Sequence, residues 1–130
     1  MSNNDYIQNA LKTESQEFDK IASRISEKGN IRLLHGAIGL CTESGEFVDA
    51  LKKHVFYGKP LDRVNLAEEL GDLFWYMAII ANELGVDFDS VMDTNVKKLK
   101  ARYGAKFSEV KAVDRNLKTE RTILEGQKLN

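Results

Sequence analysis

The stretch TESGEFVDALKKH (residues 42–54) places two carboxylates beside side chains that a helix would bury. Glu43 and Glu46 are three residues apart, so they lie on one face of a helix. With each residue turned by about 100° along the helix, both glutamates fall at the edge of an apolar arc that includes Phe47 and Leu51. The stretch therefore predicts a helix that carries two carboxylates along the border of its apolar face.

A second stretch, AEELGDLFWYMA (residues 67–78), repeats the arrangement with Glu69 and Asp72. Here Leu70 and Leu73 belong to the apolar arc, and the two carboxylates run along its edge. If the two helices pack against each other, the pairs face each other across the seam. Four carboxylates that repel one another and lose hydration need basic side chains, protons or a metal ion as compensation.

Two other interpretations of these carboxylates deserve comparison. A solvated helix face is the ordinary explanation of a single acidic pair, since acidic residues are mostly exposed. A di-iron centre requires Glu-x-x-His on two helices, whereas the residues three after Glu43 and Glu69 are Glu46 and Asp72. Oxygen ligands instead suit Mg²⁺, with Mn²⁺ as a substitute, and a polyphosphate is the natural ligand to complete the coordination of Mg²⁺.

The composition indicates a cytoplasmic protein, in the cytoplasm of the host if a phage encodes it. The chain has 130 residues, a net charge of −1 and a single cysteine, Cys41, which excludes an intramolecular disulfide and a cysteine-based zinc cluster. No basic patch dominates, so we expect no nucleic-acid polymer as a partner. The start of the chain lacks the pattern of a signal peptide, and the longest apolar run, LFWYMAII, is too short to span a bilayer, so we expect no membrane partner.

Helical periodicity predicts an all-α fold that resembles a four-helix bundle with a short C-terminal helix. Gly29 is expected to end the first helix and Asp62 to cap the third. The chain is interpreted as one domain, residues 1–130, with its motifs in residues 35–107 and a tail in residues 108–130. The predicted helices are Asp5–Glu27, Ile31–Val55, one that follows Asp62 and ends at Gly85, one from Asp87 or Asp89 to Tyr103, and a short one within Asp114–Gly126.

A basic element, NVKKLKARYGAKF (residues 95–107), closes the predicted fourth helix. Asn95, Lys98 and Arg102 fall on one face at spacings of three and four. An amide, an ammonium and a guanidinium in line suit phosphate oxygens. The alternative is an ordinary basic helix end, which complements the helix dipole.

Three further side chains are candidates for substrate binding. His35 precedes Glu43 by about two helical turns, and its alternative role is in helix packing. Tyr76 lies between the directions of the second carboxylate pair, where its ring would border a nucleotide. Lys53 falls on the side of Glu46 and would meet phosphate, unless it is simply solvated.

The pattern Glu43-x-x-Glu46 followed by Glu69-x-x-Asp72 resembles the signature of the all-α nucleoside triphosphate pyrophosphatases. This superfamily includes MazG, dimeric dUTPase, dCTP pyrophosphatase and phosphoribosyl-ATP pyrophosphatase. The segment EELGDLFWYMA is similar to the MazG form, and NVKKLKARYGAKF is similar to the third element of that group. The resemblance covers about residues 35–107.

The resemblance implies a nucleotide pyrophosphohydrolase that uses Mg²⁺ to convert (d)NTP and water into (d)NMP and pyrophosphate, in the control of nucleotide pools. Either Glu46 or Glu69 would orient or deprotonate the attacking water. The metal ligands that the resemblance implies are Glu43, Glu46, Glu69 and Asp72, and the phosphate contacts are Asn95, Lys98 and Arg102.

Two alternatives to a broad pyrophosphohydrolase remain open at this point. One is a narrow dUTP or dCTP pyrophosphatase, and the other is a helical interaction module that binds nucleotide without catalysis. The run WYMAII also leaves apolar side chains on more than one face of its helix, which predicts self-association. We expect a homodimer or a tetramer built as a dimer of dimers, in agreement with the family.

Overall fold

The computed structural model describes residues 3–126, and this part of the chain is helical throughout apart from its connections. The predicted all-α class is therefore confirmed. No helix within residues 3–126 is long and apolar enough to cross a membrane. The helices in chain order are α1 (Asn3–Leu11), α2 (Phe18–Ser26), α3 (Lys28–Tyr57), α4 (Arg63–Leu84), α5 (Phe88–Tyr103), α6 (Glu109–Val113) and α7 (Leu117–Glu125).

The two longest helices, α3 and α4, form an antiparallel hairpin. Gly36 faces Ile80 and Gly39 faces Tyr76, so the contacts advance along α3 as they recede along α4. Both glycines are buried, and a Cβ atom at Gly39 would overlap the Tyr76 ring. The absence of two side chains thus lets the helices approach closely enough for their facing side chains to meet.

Helix caps determine where α4 and α5 begin. The Asp62 carboxylate accepts hydrogen bonds from the backbone N–H groups of Val64 and Asn65, each at 3.0 Å. Such bonds satisfy donors that the first helical turn leaves without partners. The predicted cap at Asp62 is confirmed. For α5 the cap is Asp87, whose carboxylate accepts from the Ser90 N–H at 2.7 Å.

The prediction of one long first helix, Asp5–Glu27, is wrong. The chain leaves the helix after Leu11 and starts a new one at Phe18. At the break, the Thr13 hydroxyl and the Thr13 N–H both donate to the Ala10 carbonyl oxygen, at 2.9 and 3.1 Å. A threonine side chain that bonds to nearby backbone in this way competes with continuation of the helix.

The predicted role of Gly29 as a helix stop is also wrong. Gly29 lies inside the first turn of α3, and the break falls at Glu27, whose backbone is extended with φ −67° and ψ 128°. A Cβ atom at residue 29 would overlap the Glu83 carboxylate of α4. Gly29 therefore serves the close approach of the two hairpin helices.

The other helices pack less extensively than the hairpin. Helix α2 packs on α3, while α5 packs mainly against α6 and α7. A cavity of about 380 Å³ with an entirely apolar lining opens where the start of α5 meets the hairpin, and Phe74, Met77 and Phe88 contribute to it. No apolar side chain within residues 3–126 is buried. The helices therefore leave most of their apolar faces uncovered.

Candidate metal and nucleotide site

Three carboxylates from the two hairpin helices converge on one point. Glu43 of α3 and Glu69 and Asp72 of α4 each offer one oxygen, and these oxygens lie within 4.8 Å of one another. The helical spacing of three brings Glu69 and Asp72 to the same face of α4, and the antiparallel packing of the hairpin brings Glu43 opposite them. Three hard oxygen donors at this separation are suited to a divalent cation such as Mg²⁺ or Mn²⁺.

Glu69 is the most informative member of the cluster, because it is only 5% exposed. Within residues 3–126, no lysine, arginine or histidine forms a salt bridge with it. Its Oε1 atom instead accepts a hydrogen bond from the Asn65 side-chain amide at 2.8 Å. A buried carboxylate that two others approach and that no basic group neutralises is costly unless a cation binds there.

Glu46 occupies a different position from the other three predicted ligands. It lines a cavity of about 610 Å³ next to the convergent carboxylates, and Asn65 and Glu69 line the same cavity. Its side chain is exposed, and it does not belong to the group of oxygens that lie within 4.8 Å of one another. Glu46 therefore faces this cavity and is separate from the three convergent oxygens.

Lys53 lines the same cavity and is held by Asp49. The carboxylate of Asp49 forms ion pairs with Lys52 at 2.5 Å and with Lys53 at 2.7 Å. Hydrogen bonds from the two lysines lower the pKa of Asp49 to about 2. Asp49 thus remains ionised and keeps the Lys53 ammonium beside the cavity.

Three aromatic rings lie one to two helical turns from the carboxylates. Tyr76 lies one turn beyond Asp72 on α4, and its ring makes edge contacts with His35 and Trp75, at centroid distances of 5.6 and 4.9 Å. His35 also contacts Trp75 at 6.2 Å. Of the three, Tyr76 is half-buried and the other two are exposed.

Comparison with known proteins assigns the family. The profile of the MazG nucleotide pyrophosphohydrolase domain matches residues 33–107, which is more than half of the chain and includes all three convergent carboxylates. The chain belongs to the MazG nucleotide pyrophosphohydrolase family. The resemblance to MazG drawn from the sequence motifs is therefore confirmed.

A curated relative of this MazG protein is the Gene 37 protein of Mycobacterium phage L5. The two are 35% identical over 74 residues, which is 54% of this chain and 65% of the phage protein. The chain thus spans slightly less than two thirds of that relative's length. No solved structure matches the chain.

Helix α5 carries the three residues that the sequence predicted as phosphate contacts, Asn95, Lys98 and Arg102. Asn95 is exposed and Lys98 is half-buried on this helix. The Arg102 guanidinium is engaged: its Nε and one terminal nitrogen donate to the two carboxylate oxygens of Glu120 in α7, both at 2.7 Å. Arg102 would therefore have to release Glu120 before its guanidinium could bind a phosphate.

The sequence patterns did not identify Glu120 and Asn65. Glu120 is 4% exposed and also accepts a hydrogen bond from Arg115 at 2.5 Å, so two guanidinium groups enclose it. These hydrogen bonds, that of Arg102 above all, lower the pKa of Glu120 to about 2. Asn65 precedes Glu69 by four residues, and this spacing of a side-chain amide and an acid on one helix face was the signal available in the sequence.

Proposed function

We propose that this MazG protein is a divalent-metal-dependent pyrophosphohydrolase that converts (d)NTP and water into (d)NMP and pyrophosphate. The observation that carries the proposal is the buried Glu69 carboxylate, which converges with Glu43 and Asp72 and has no basic partner within residues 3–126. A site that places three acidic oxygens together and leaves their charge uncompensated stabilises a bound cation. Membership of the family supplies the reaction class.

The residues of the chain fit Mg²⁺, with Mn²⁺ as a substitute. Glu43, Glu69 and Asp72 would hold the cation, which when bound lowers the pKa of water and withdraws charge from phosphates. Glu46, which lines the adjacent cavity, would orient or deprotonate the attacking water, or would join the ligands of the cation. Glu69 is the second candidate for that catalytic role.

The substrate would extend from the cavity in two directions. Lys53, which Asp49 keeps beside the cavity, is suited to a phosphate oxygen. Tyr76 and His35 offer ring surfaces for a nucleobase, because aromatic groups stack on bases of any sequence. Neither group selects one base, so the proposal covers ribonucleotides and deoxyribonucleotides, and narrow dUTP or dCTP specificity is its alternative.

Further phosphate contacts would come from α5, through Asn95, Lys98 and Arg102. Because α5 packs mainly against α6 and α7, these residues would meet the hairpin carboxylates through a second copy of the chain. We therefore propose a homo-oligomer, either a dimer or a dimer of dimers, as the active form. The uncovered apolar faces of the helices support this proposal.

A comparison of Glu69→Gln with Glu68→Gln tests the proposed function. Glu68 is the adjacent glutamate on α4 and is exposed, so its substitution controls for the change of charge. Each protein is incubated with Mg²⁺ and one (d)NTP at a time, and the products are separated by chromatography. We expect monophosphate and pyrophosphate, with a loss of about 100-fold or more in Glu69→Gln, since even groups that support metal ligands typically contribute 10–100-fold.

The outcomes of this comparison separate the alternatives. Equal turnover by Glu69→Gln and Glu68→Gln would exclude the carboxylate cluster as the metal site. Diphosphate and phosphate as products would mean that a different bond is cleaved. Nucleotide binding without turnover by the unmodified protein would favour the helical interaction module over the enzyme.

A further inference from the structure

Asn65 is held in place by the cap of α4. Its backbone N–H donates to the Asp62 carboxylate at 3.0 Å, and the same carboxylate accepts from Val64. The Asn65 side chain is half-buried and lines the cavity that Glu46 and Glu69 share. Asp62 therefore fixes the first turn of the helix from which the Asn65 amide projects towards the carboxylates.

The Asn65 amide fixes one oxygen of a buried carboxylate. Its Nδ2 donates to Glu69 Oε1 at 2.8 Å, from the position one helical turn earlier. An ionised carboxylate offers about four lone-pair directions, so one hydrogen bond orients the group and leaves acceptor capacity for a cation. The rotation that a free glutamate side chain would otherwise have is restricted before any metal binds.

The neutrality of the amide is as important as its position. A lysine or arginine at this distance would orient Glu69 equally well, but its charge would oppose a bound cation. The other strongly buried glutamate, Glu120, has this charged arrangement, with guanidinium groups from Arg102 and Arg115. Guanidinium groups thus neutralise the buried carboxylate of Glu120. Glu69, which adjoins two other carboxylates, instead accepts a hydrogen bond from a neutral amide.

We infer that Asn65 is a positioning residue that orients Glu69 for the divalent cation without neutralising its charge. This inference rests on the proposed function, because it assigns the Glu43, Glu69 and Asp72 cluster to the metal. Asn65 acts through Glu69, whose Oε1 atom accepts the hydrogen bond from its amide. Groups that hydrogen-bond to metal ligands in this way contribute about 10–100-fold to metal affinity.

A titration of the full chain with Mn²⁺, in the absence of nucleotide, tests this role. The electron paramagnetic resonance signal of free Mn²⁺ measures how much of the metal is bound. The variants are Asn65→Leu, which keeps the approximate shape without the donor, and Asn65→Ala, which favours the helix. We expect both to raise the Kd for Mn²⁺ by about 10-fold or more. We expect the Tm of Asn65→Ala to stay near that of the unmodified protein, because alanine improves helix propensity. Glu68→Gln serves as the control and should change neither quantity.

The same titration distinguishes failure of the inference from failure of the proposed function. If Glu69→Gln abolishes Mn²⁺ binding while both Asn65 variants bind as tightly as the unmodified chain, the positioning role is refuted and the metal site stands. If the affinity of the Asn65 variants falls only in proportion to a lower Tm, their effect is structural and the inference also fails. If the unmodified chain binds Mn²⁺ no better than Glu69→Gln, both proposals are overturned.

Discussion

Two glutamates within residues 3–126 are almost fully buried, and their surroundings are opposite. Glu120 is 4% exposed and pairs with two arginines, whereas Glu69 is 5% exposed and receives an amide hydrogen bond. Burial of a charge costs free energy, which a partner of opposite charge offsets. Glu120 has such partners in the folded chain, while Glu69 has no basic partner within residues 3–126. This difference distinguishes a structural acid from a candidate metal ligand.

At the scale of single residues, the sequence predicted three of the carboxylates that converge, but not the side chains that hydrogen-bond to the buried acids. Spacing alone brought Glu69 and Asp72 to one helix face, and their convergence with Glu43 followed from the packing of two consecutive helices. The bond from Asn65 depends on a side-chain rotamer, and the pair of Arg102 with Glu120 joins residues 18 positions apart. Neither contact can be predicted from periodicity, because each depends on the rotamers that neighbouring side chains adopt in the folded structure.

At the scale of the helices, ion pairs attach α7 to α5. The Glu120 carboxylate receives hydrogen bonds from Arg102 of α5 and from Arg115, which precedes α7. The partners of Glu120 therefore connect the tail beyond residue 107 to the region that the MazG profile matches. The tail was predicted to hold a short helix, and α7 is present at Leu117–Glu125.

The attachment of α7 is expected to weaken in acid. The pKa of Glu120 falls from 4.5 to about 2 in the folded chain, first because of Arg102 and then because of Arg115. The ionised carboxylate of Glu120 therefore stabilises the folded chain. This contribution to stability is complete above the unfolded pKa of 4.5 and is lost as the pH falls towards about 2. We expect Glu120→Gln to have a lower Tm than the unmodified protein near neutral pH, with a difference that shrinks across this acid range.

Thermal unfolding of both proteins over a pH series measures this difference. Glu125→Gln is the matched control, because Glu125 lies on the same helix and pairs with Arg121 in an exposed salt bridge of 2.6 Å. Exposed pairs contribute little, so its Tm should stay close to that of the unmodified protein. A Tm difference for Glu120→Gln that stays constant as the pH falls would show that the ionisation of Glu120 is not responsible.

The hairpin helices were the most predictable elements, and the first helix was the least. Both helices have clear boundaries, because α3 ends before Gly58, with φ 65°, and α4 begins after the Asp62 cap. Around Thr13 the sequence carries polar residues that suit a helix or a turn equally, and local hydrogen bonds to Ala10 decide between them. Gly29 was misassigned because its conformation is helical, and its small size serves the contact with Glu83.

At the scale of the whole molecule, the single chain exposes more surface than a compact monomer would. Its accessible surface is 10490 Å², whereas a compact monomer of 14.7 kDa exposes about 6,900 Å² by the usual scaling with mass. Large apolar side chains contribute to the excess, including Phe74 at 53% exposure and Trp75 at 56%. Exposed apolar side chains are expected at the contacts between subunits of the proposed oligomer.

We expect sedimentation equilibrium to give a mass of at least two chains of 14.7 kDa each. Phe74→Glu places a charge in the apolar cavity between α4 and the start of α5 and should shift the equilibrium towards monomer. Val113→Glu is the control, because Val113 in α6 is 88% exposed and lines no part of that cavity. A monomeric mass for the unmodified protein at all concentrations would contradict the proposed oligomer.

The most direct test of the proposed metal site is anomalous diffraction from crystals grown with Mn²⁺ and a non-hydrolysable nucleoside triphosphate. We expect an anomalous peak within bonding distance of Glu43, Glu69 and Asp72, with the triphosphate in the adjacent cavity that Glu46 and Lys53 line. Bound triphosphate with Mn²⁺ only at other residues, and none at these three carboxylates, would contradict it.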